Sequence, residues 1–327
     1  MLAFLLNRLF HALLVVFVVS VLAFILGDVV GDPVASILGL DATPADRLAL
    51  RTRLHLDEPA VLRYLYYVQN LLHGDLGVSY AAQRPVSALL AERIPATVEL
   101  AAVALTLSLA IGVPLGVYAA VKRRQMLANA LMTLSVLGVS LPTFVVGILL
   151  IFCFSLWLGW LPSFGRGEVV TIGFWTTGFL TPSGLKSLIM PALSLAIGQI
   201  ALVARLSRAE MLNVLKSDYI RFARARGLKN RAVYFSHALR NTLIPIITVS
   251  GIQLGYLVAF AVVVEQVFQW PGMGLLFLQA LGQTDLPVIS AFLMVAALFF
   301  VGINLVVDLL YAVADPRLRI KTLSARS

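Results

Sequence analysis

Serine, histidine, cysteine and carboxylate side chains are the usual carriers of reaction chemistry, and this 327-residue chain does not group them into a reaction centre. Ser108 and Ser140 sit inside apolar runs, but no histidine lies near the middle of such a run to activate them, and paired aspartates are lacking. His11, His55, His73 and His237 are scattered without the spacing of metal ligands, so no metal is expected. Cys153 is the only cysteine, which excludes an intrachain disulfide and a thiolate cage; it reads as packing filler. A Gly-x-x-x-x-Gly-Lys-Ser/Thr phosphate loop is absent, so the chain is not expected to hydrolyse ATP itself. An intramembrane protease is excluded on the same grounds, and no catalytic residue is expected.

The polar residues within apolar runs point instead to packing and passage. Glu99 and Glu265 fall near the outer ends of such runs and Asp308 near an inner one, while Gln199, Gln253 and Asn304 fall near the middle. An ionisable group deep in hydrocarbon is costly and usually functional. With none at mid-depth, any pathway is expected to handle its cargo through backbone, amide and hydroxyl groups rather than a buried ion pair. For the three amides, hydrogen bonding between helices is the favoured reading over substrate contact. Gly112/Gly116 and Gly251/Gly255 are four apart and mark sides where helices approach closely. Pro142 is expected to kink its helix.

The elements that carry these residues are membrane helices. The chain is 60% hydrophobic and 13% charged, against roughly 25% charged for a soluble domain. Crossing a ~30 Å hydrocarbon core takes about 20 mostly apolar residues. Six runs qualify: 9–26, 100–121, 132–158, 187–206, 242–264 and 286–307. The fourth is the weakest, carrying Gly198 and Gln199 and ending on Arg205. The first is 18 residues long, beyond the 7 to 15 of a signal-peptide core, and Leu26-Gly27-Asp28 is not a small-x-small cleavage site. It reads as an uncleaved anchor.

Alternating the runs with the N-terminus in the cytoplasm leaves 17 of the 25 basic residues inside, among them Arg8, Lys122, Arg123, Arg124, Arg317, Arg319, Lys321 and Arg326. Both termini are therefore expected in the cytoplasm. The net charge of +9 belongs to that face rather than to nucleic-acid binding.

Two polar segments are too long to be bare loops. Outside, residues 30–97 carry Thr43-Pro44-Ala45-Asp46, a helix start. A second helix should run from near Asp57-Glu58-Pro59 to Gly74, with Leu62, Leu65 and Leu72 along one apolar side. This element either covers the outer ends of the membrane helices or receives a soluble partner. Inside, residues 207–241 should hold a helix from Tyr219 to Arg226, capped by Ser217-Asp218 and ended by a left-handed Gly227. A second helix should run from Arg231 to Arg240. Ala223, Ala225 and Ala232 keep the pair slim enough to lie against a partner surface. Periodicity alone favours anionic membrane lipid as that surface.

The wording of this segment decides otherwise. Asp218-Tyr-Ile-Arg-Phe-Ala-Arg-Ala-Arg-Gly227-Leu, then His237-Ala-Leu-Arg-Asn241, closely resembles the cytoplasmic coupling loop of permeases in ATP-binding-cassette (ABC) importers, in the dipeptide and oligopeptide version. Further stretches resemble the same family: Gly74-Asp-Leu-Gly77-Val-Ser79, Arg84-Pro85-Val86, Arg93-Ile-Pro95-Ala-Thr97-Val-Glu99, Leu141-Pro142-Thr-Phe144, Val264-Glu265-Gln-Val-Phe268 and Pro271-Gly-Met-Gly274. Asn304-Leu-Val-Val-Asp308-Leu-Leu-Tyr311 and Asp315-Pro-Arg317 complete the set. In the broader importer pattern the loop opens on Glu-Ala-Ala and closes on Ile-x-Leu-Pro, where this chain has Arg221-Phe222-Ala223 and His237-Ala238-Leu239-Arg240. Peptide-type permeases commonly depart in this way.

The resemblance implies an all-α integral membrane protein of the bacterial inner membrane with the six-helix type I ABC importer permease fold. Residues 1–95 would hold the first span and the periplasmic segment, 96–315 a five-helix core, and 316–327 a cytoplasmic tail. The implied partners are a second homologous permease, two ABC ATPase subunits that hold the ATP and Mg, a periplasmic or lipid-anchored substrate-binding protein and a peptide substrate. No cofactor is expected on this chain. The coupling set would be Asp218, Tyr219, Arg221, Ala223, Arg224, Ala225, Gly227, Leu228, Arg231, His237, Arg240 and Asn241. Pathway or gate candidates are Pro142, Gln199, Gln253, Glu265, Pro271, Gly272, Gly274 and Asn304, with 271–274 a turning element at the outer mouth. Nickel complexes, glutathione and some sugars are alternative cargoes within the family. A secondary carrier driven by an ion gradient is disfavoured, because mid-membrane charge and two related halves are both missing.

Overall fold

The computed structural model describes residues 2–29, 34, 38, 43–53, 56–122 and 125–314. His55, Arg123, Arg124, the Asp315-Pro-Arg317 stretch and the tail that follows it lie outside the described residues, and so do the side chains of Asp28 and Asp308. The described chain is built from helices: α1 (Leu2–Val29), α2 (Pro44–Arg53), α3 (Ala60–Leu72), α4 (Val86–Val121), α5 (Met126–Ser140) and α6 (Thr143–Leu150). After a π-helical stretch (Ile151–Trp157) comes a two-stranded hairpin, β1 (Val170–Ile172) and β2 (Trp175–Thr177). Then follow α7 (Pro182–Leu215), α8 (Asp218–Ala225), a second π-helical stretch (Ala232–Ala238), α9 (Leu239–Val267), α10 (Met273–Gly282) and α11 (Leu286–Ala314).

Five of these helices, α1, α4, α7, α9 and α11, are long and apolar enough to cross a membrane. The third expected span is different, because its helix is interrupted rather than kinked. α5 stops at Ser140, and Pro142 (φ −58°, ψ 140°) restarts the chain as the cap of α6. Proline offers no N–H to the preceding turn and pushes the residue before it out of helical geometry, so here the helix ends. Pro191 and Pro245, by contrast, sit inside α7 and α9, which continue through them. Ring clash is tolerated where neighbouring groups re-satisfy the freed carbonyls.

The chain divides into two compact units. The first comprises residues 1–97, 171–177 and 271–301. In it α3 packs on α1: the Ser20 and Tyr64 hydroxyls lie 2.8 Å apart, and the Tyr64 and Phe24 rings meet edge to face at 5.5 Å. The start of α2 follows expectation, with Thr43 Oγ1 accepting from the Asp46 N–H at 3.2 Å. α3 turns Tyr64 and Tyr67 inward and leaves Leu62, Leu65 and Leu72 exposed, so the apolar side expected to pack is the one that does not. Asp285, fully buried before α11, accepts from Ser79 Oγ (2.5 Å) and from the N–H groups of Tyr80 (3.1 Å) and Ala81 (3.2 Å), which anchors the loop ahead of α4.

The second unit comprises residues 98–170, 178–270 and 302–327, and α7 is its centre, packed by α5, α6 and α9. Of the spans, α7 has the largest buried share of its apolar window, 61%, against 11% for α1. α4 reaches α7 across glycines. A Cβ on Gly112 would lie 2.9 Å from the Ile200 carbonyl oxygen, and one on Gly116 would overlap the Ala204 carbonyl. Gly251 of α9 likewise meets Val307 of α11 with no room for a side chain. Close backbone approach is thus the use of these glycines, as the spacing predicts.

Candidate functional site

The inside segment begins where α7 ends at Leu215. Ser217 stands at the cap position of α8 with extended backbone (φ −66°, ψ 152°), but its hydroxyl turns back to donate to the Val214 carbonyl at 2.7 Å. Ser217 is therefore a cap by place and not by hydrogen bond. Asp218 supplies the first-turn acid and pairs with Arg221 at 3.2 Å. Gly227, at φ 76°, ends the segment in the left-handed region, as expected. The second expected helix does not stand alone: its π-helical stretch runs directly into α9.

α8 has two faces. Ile220 and Ala223 are buried, and Ile220 joins Val117 and Ala120 of α4, Met211 of α7, and Val233 and Ala238 of the π-helical stretch in one apolar cluster. Tyr219 Oη lies 2.7 Å from His237 Nδ1, with the two rings edge to face, and ties the exposed flank of α8 to the same stretch. The other face presents Phe222, 66% exposed, with Arg226 over its ring at 5.8 Å. Arg221, Arg224, Ala225, Leu228, Arg231, Arg240 and Asn241 are exposed as well. Ala223 was expected to slim the outer surface; it packs inward instead, because α8 is too short to bury more than one stripe. The outward knob is Phe222, a residue that spacing alone did not single out. An aromatic side chain ringed by arginines is the composition of a protein-binding hot spot.

Among the pathway candidates, Gln199 and Gln253 are brought together, Gln253 Nε2 donating to Gln199 Oε1 at 2.8 Å between α7 and α9. Asn304 is half-buried on α11, and Pro142 is exposed at the break between α5 and α6. Glu265 is fully buried on α9. Pro271 is half-buried; Gly272 and Gly274 are buried, and the backbone enters α10 there, with the Met273 N–H donating to Thr97 Oγ1 at 2.8 Å. The expected turn at 271–274 is therefore the start of a ten-residue helix.

One expectation is corrected within the second unit. A buried ion pair does exist: Arg166 Nη2 donates to Glu99 Oε2 at 2.6 Å, both side chains being almost fully enclosed. The same Glu99 oxygen accepts from the Gly178 N–H at 3.4 Å, and the Arg166 guanidinium lies 5.9 Å from the Trp270 ring centre. Arg166 was missed because it falls in a loop. The signal was available, since it is the only basic residue between 159 and 181, next along the chain after an acid at a span's outer end.

Residues 112–320 match a family described as binding-protein-dependent transport system inner membrane component, and residues 1–101 match the N-terminal component of the same systems. A Brucella abortus (strain 2308) protein, provisionally named a peptide transport system permease, is 40% identical over 321 residues, covering 98% of this chain and 99% of that protein. The glutathione transport system permease protein GsiC of Escherichia coli (strain K12) is 37% identical over 322 residues, covering 98% and 100%. Among solved structures, a chain of the MetNI methionine ABC transporter in an inward-facing conformation superposes with a TM-score of 0.55 at 19% identity, over 69% of this chain and 96% of that one. That likeness establishes the fold.

Proposed function

The chain belongs to the family of inner membrane components of binding-protein-dependent transport systems, and from that premise we propose that it forms half of the route by which an ATP-driven importer carries dipeptides or oligopeptides inward. As a permease subunit it performs no bond chemistry; its task is to open and close a path. Peptide cargo is supported by the names of its relatives, one a peptide permease and one a permease for glutathione, itself a short peptide. A second permease of the same kind would supply the other half of the path.

The observation that carries the mechanism is the two-faced burial of α8. Its outward face, Phe222 with Arg221, Arg224 and Arg226, would dock in a cleft of one of two cytoplasmic ATPase subunits, which hold ATP and its magnesium. Its inward face is locked by Ile220 to α4, α7 and the π-helical stretch that feeds α9. A displacement of α8 is therefore delivered to three membrane helices at once, because a packed apolar cluster moves as a body rather than deforming. On the opposite side of the membrane, the exposed Leu62, Leu65 and Leu72 of α3 support docking of the extracytoplasmic binding protein, the second of the two roles open to that segment.

The test is co-expression with the neighbouring genes and purification through a tag on this chain. Recovery of two ATPase chains and a second permease, with ATP-dependent uptake of a tripeptide in liposomes, is the expected result. Purification as a lone species that takes up the peptide under an ion gradient without ATP would overturn it.

A further inference from the structure

A cavity of about 400 Å³ opens in the first unit between the C-terminal end of α1, one side of α3 and the N-terminal end of α11. This is within the size range of small-ligand sites. Its floor is apolar, with Phe24, Leu286 and Pro287, and its α3 wall is polar, with Arg63, Tyr67 and Asn70. α1 and α11 are membrane spans, so the cavity lies where both leave the bilayer. The flank of α1 that leads to it exposes Leu22, Ile25 and Leu26, a surface suited to acyl chains.

Three polar groups give the cavity its chemistry. The Arg63 guanidinium is held 5.7 Å from the centre of the Phe24 ring, which fixes a cation at the wall. The Tyr67 hydroxyl is buried and has no hydrogen-bond partner. Such groups are rare because each forfeits its hydration. Burial, with Tyr64 adjacent, pushes that hydroxyl up to about 12, so it stays a donor. Asp75 lines the same cavity, one oxygen accepting from the Gly77 N–H at 2.8 Å, and balances the arginine.

We infer that this cavity holds the head group of a zwitterionic phospholipid, with Arg63 pairing to the phosphate, Tyr67 Oη donating to a phosphate oxygen and Asp75 meeting the head-group ammonium. An anionic lipid would match the arginine and leave Asp75 opposed by like charge. A free dipeptide would satisfy both charges, yet the apolar floor continuous with the α1 flank would then go unused. The inference is independent of which cargo the importer carries.

The experiment uses the full chain, purified and stripped of lipid in detergent, with native mass spectrometry and thermal unfolding as readouts. The probes are phosphatidylethanolamine, phosphatidylglycerol, inorganic phosphate and dialanine. The expected result is one retained phosphatidylethanolamine per chain and an unfolding temperature raised more by it than by phosphatidylglycerol. Arg63→Gln and Tyr67→Phe each weaken that binding about tenfold. Without lipid, Tyr67→Phe should be at least as stable as the parent chain, since it gives up no hydrogen bond, which separates a lost site from a lost fold. Equal responses of the parent and both variants, or of the two lipids, would overturn the inference. So would displacement of the lipid by dialanine or by inorganic phosphate, which would make the cavity a peptide or phosphate site.

Discussion

Arg166 carries a full positive charge in surroundings from which water is almost excluded, and Glu99 is the acid that answers it. Removing one charge of a buried pair is far more costly than removing both, because the remaining ion cannot recover its hydration. Glu99→Gln should therefore destabilise the chain by about 3 to 5 kcal/mol in detergent, while Glu99→Leu combined with Arg166→Met should recover most of that loss. Thermal unfolding of the three proteins checks both halves of the statement. Tyr67 gives a test by pH. Its hydroxyl titrates at about 12 against 10.0 for a free tyrosine, so above pH 10 the unfolded chain releases a proton that the folded chain keeps. Stability present below pH 10 should then fall as pH rises toward 12, and less so in Tyr67→Phe. The tyrosinate absorbance of parent and variant supplies the measurement. At this scale the sequence was informative about single residues with a fixed backbone role, such as Gly227, whose left-handed backbone is what its place predicts. It was silent on Arg166 because pairing joins residues far apart in the chain.

Helix partners follow from glycine more reliably than helix ends follow from proline. Gly116 of α4 sits against the backbone of α7 with no space for a Cβ, whereas Gly302 of α11 has nothing within 4 Å. Gly116→Ala should cost about 1 to 3 kcal/mol through overpacking, and Gly302→Ala should be neutral or stabilising by up to about 1 kcal/mol. Thermal unfolding of the two variants side by side would settle the contrast. Spans and glycine contacts were legible because they rest on local composition and spacing. Pro142, Pro191 and Pro245 were not separable, although the first breaks a helix and the other two do not. What decides is whether neighbouring groups take up the freed carbonyls, and that is a property of packing. The same holds for α3, where two faces are apolar in sequence and the tyrosine side, not the leucine side, meets α1.

For the molecule as a whole, the segment from Asp218 to Ala238 is the point at which a small event at one surface becomes a change across the membrane. Phe222→Asp should leave unfolding unchanged, since that side chain is largely exposed, yet reduce ATPase recovery and ATP-dependent uptake at least about tenfold. Ile220→Asp should instead unfold the segment by placing a charge in the buried cluster. Co-purification and uptake, read beside thermal unfolding, distinguish the two. Recognising the segment took only its wording, but the division of labour between its faces required the fold. The π-helical stretch at Ala232–Ala238 adds a last property. Its wider winding stores one residue more than an α-helix of the same rise would need, so it acts as a phase setting between α8 and α9. Deleting a single residue there would let the stretch relax to ordinary winding at little cost in folding. It would also turn α9 by about 100° relative to the docking helix, leaving a transporter whose engine still runs while its shaft is keyed at the wrong angle.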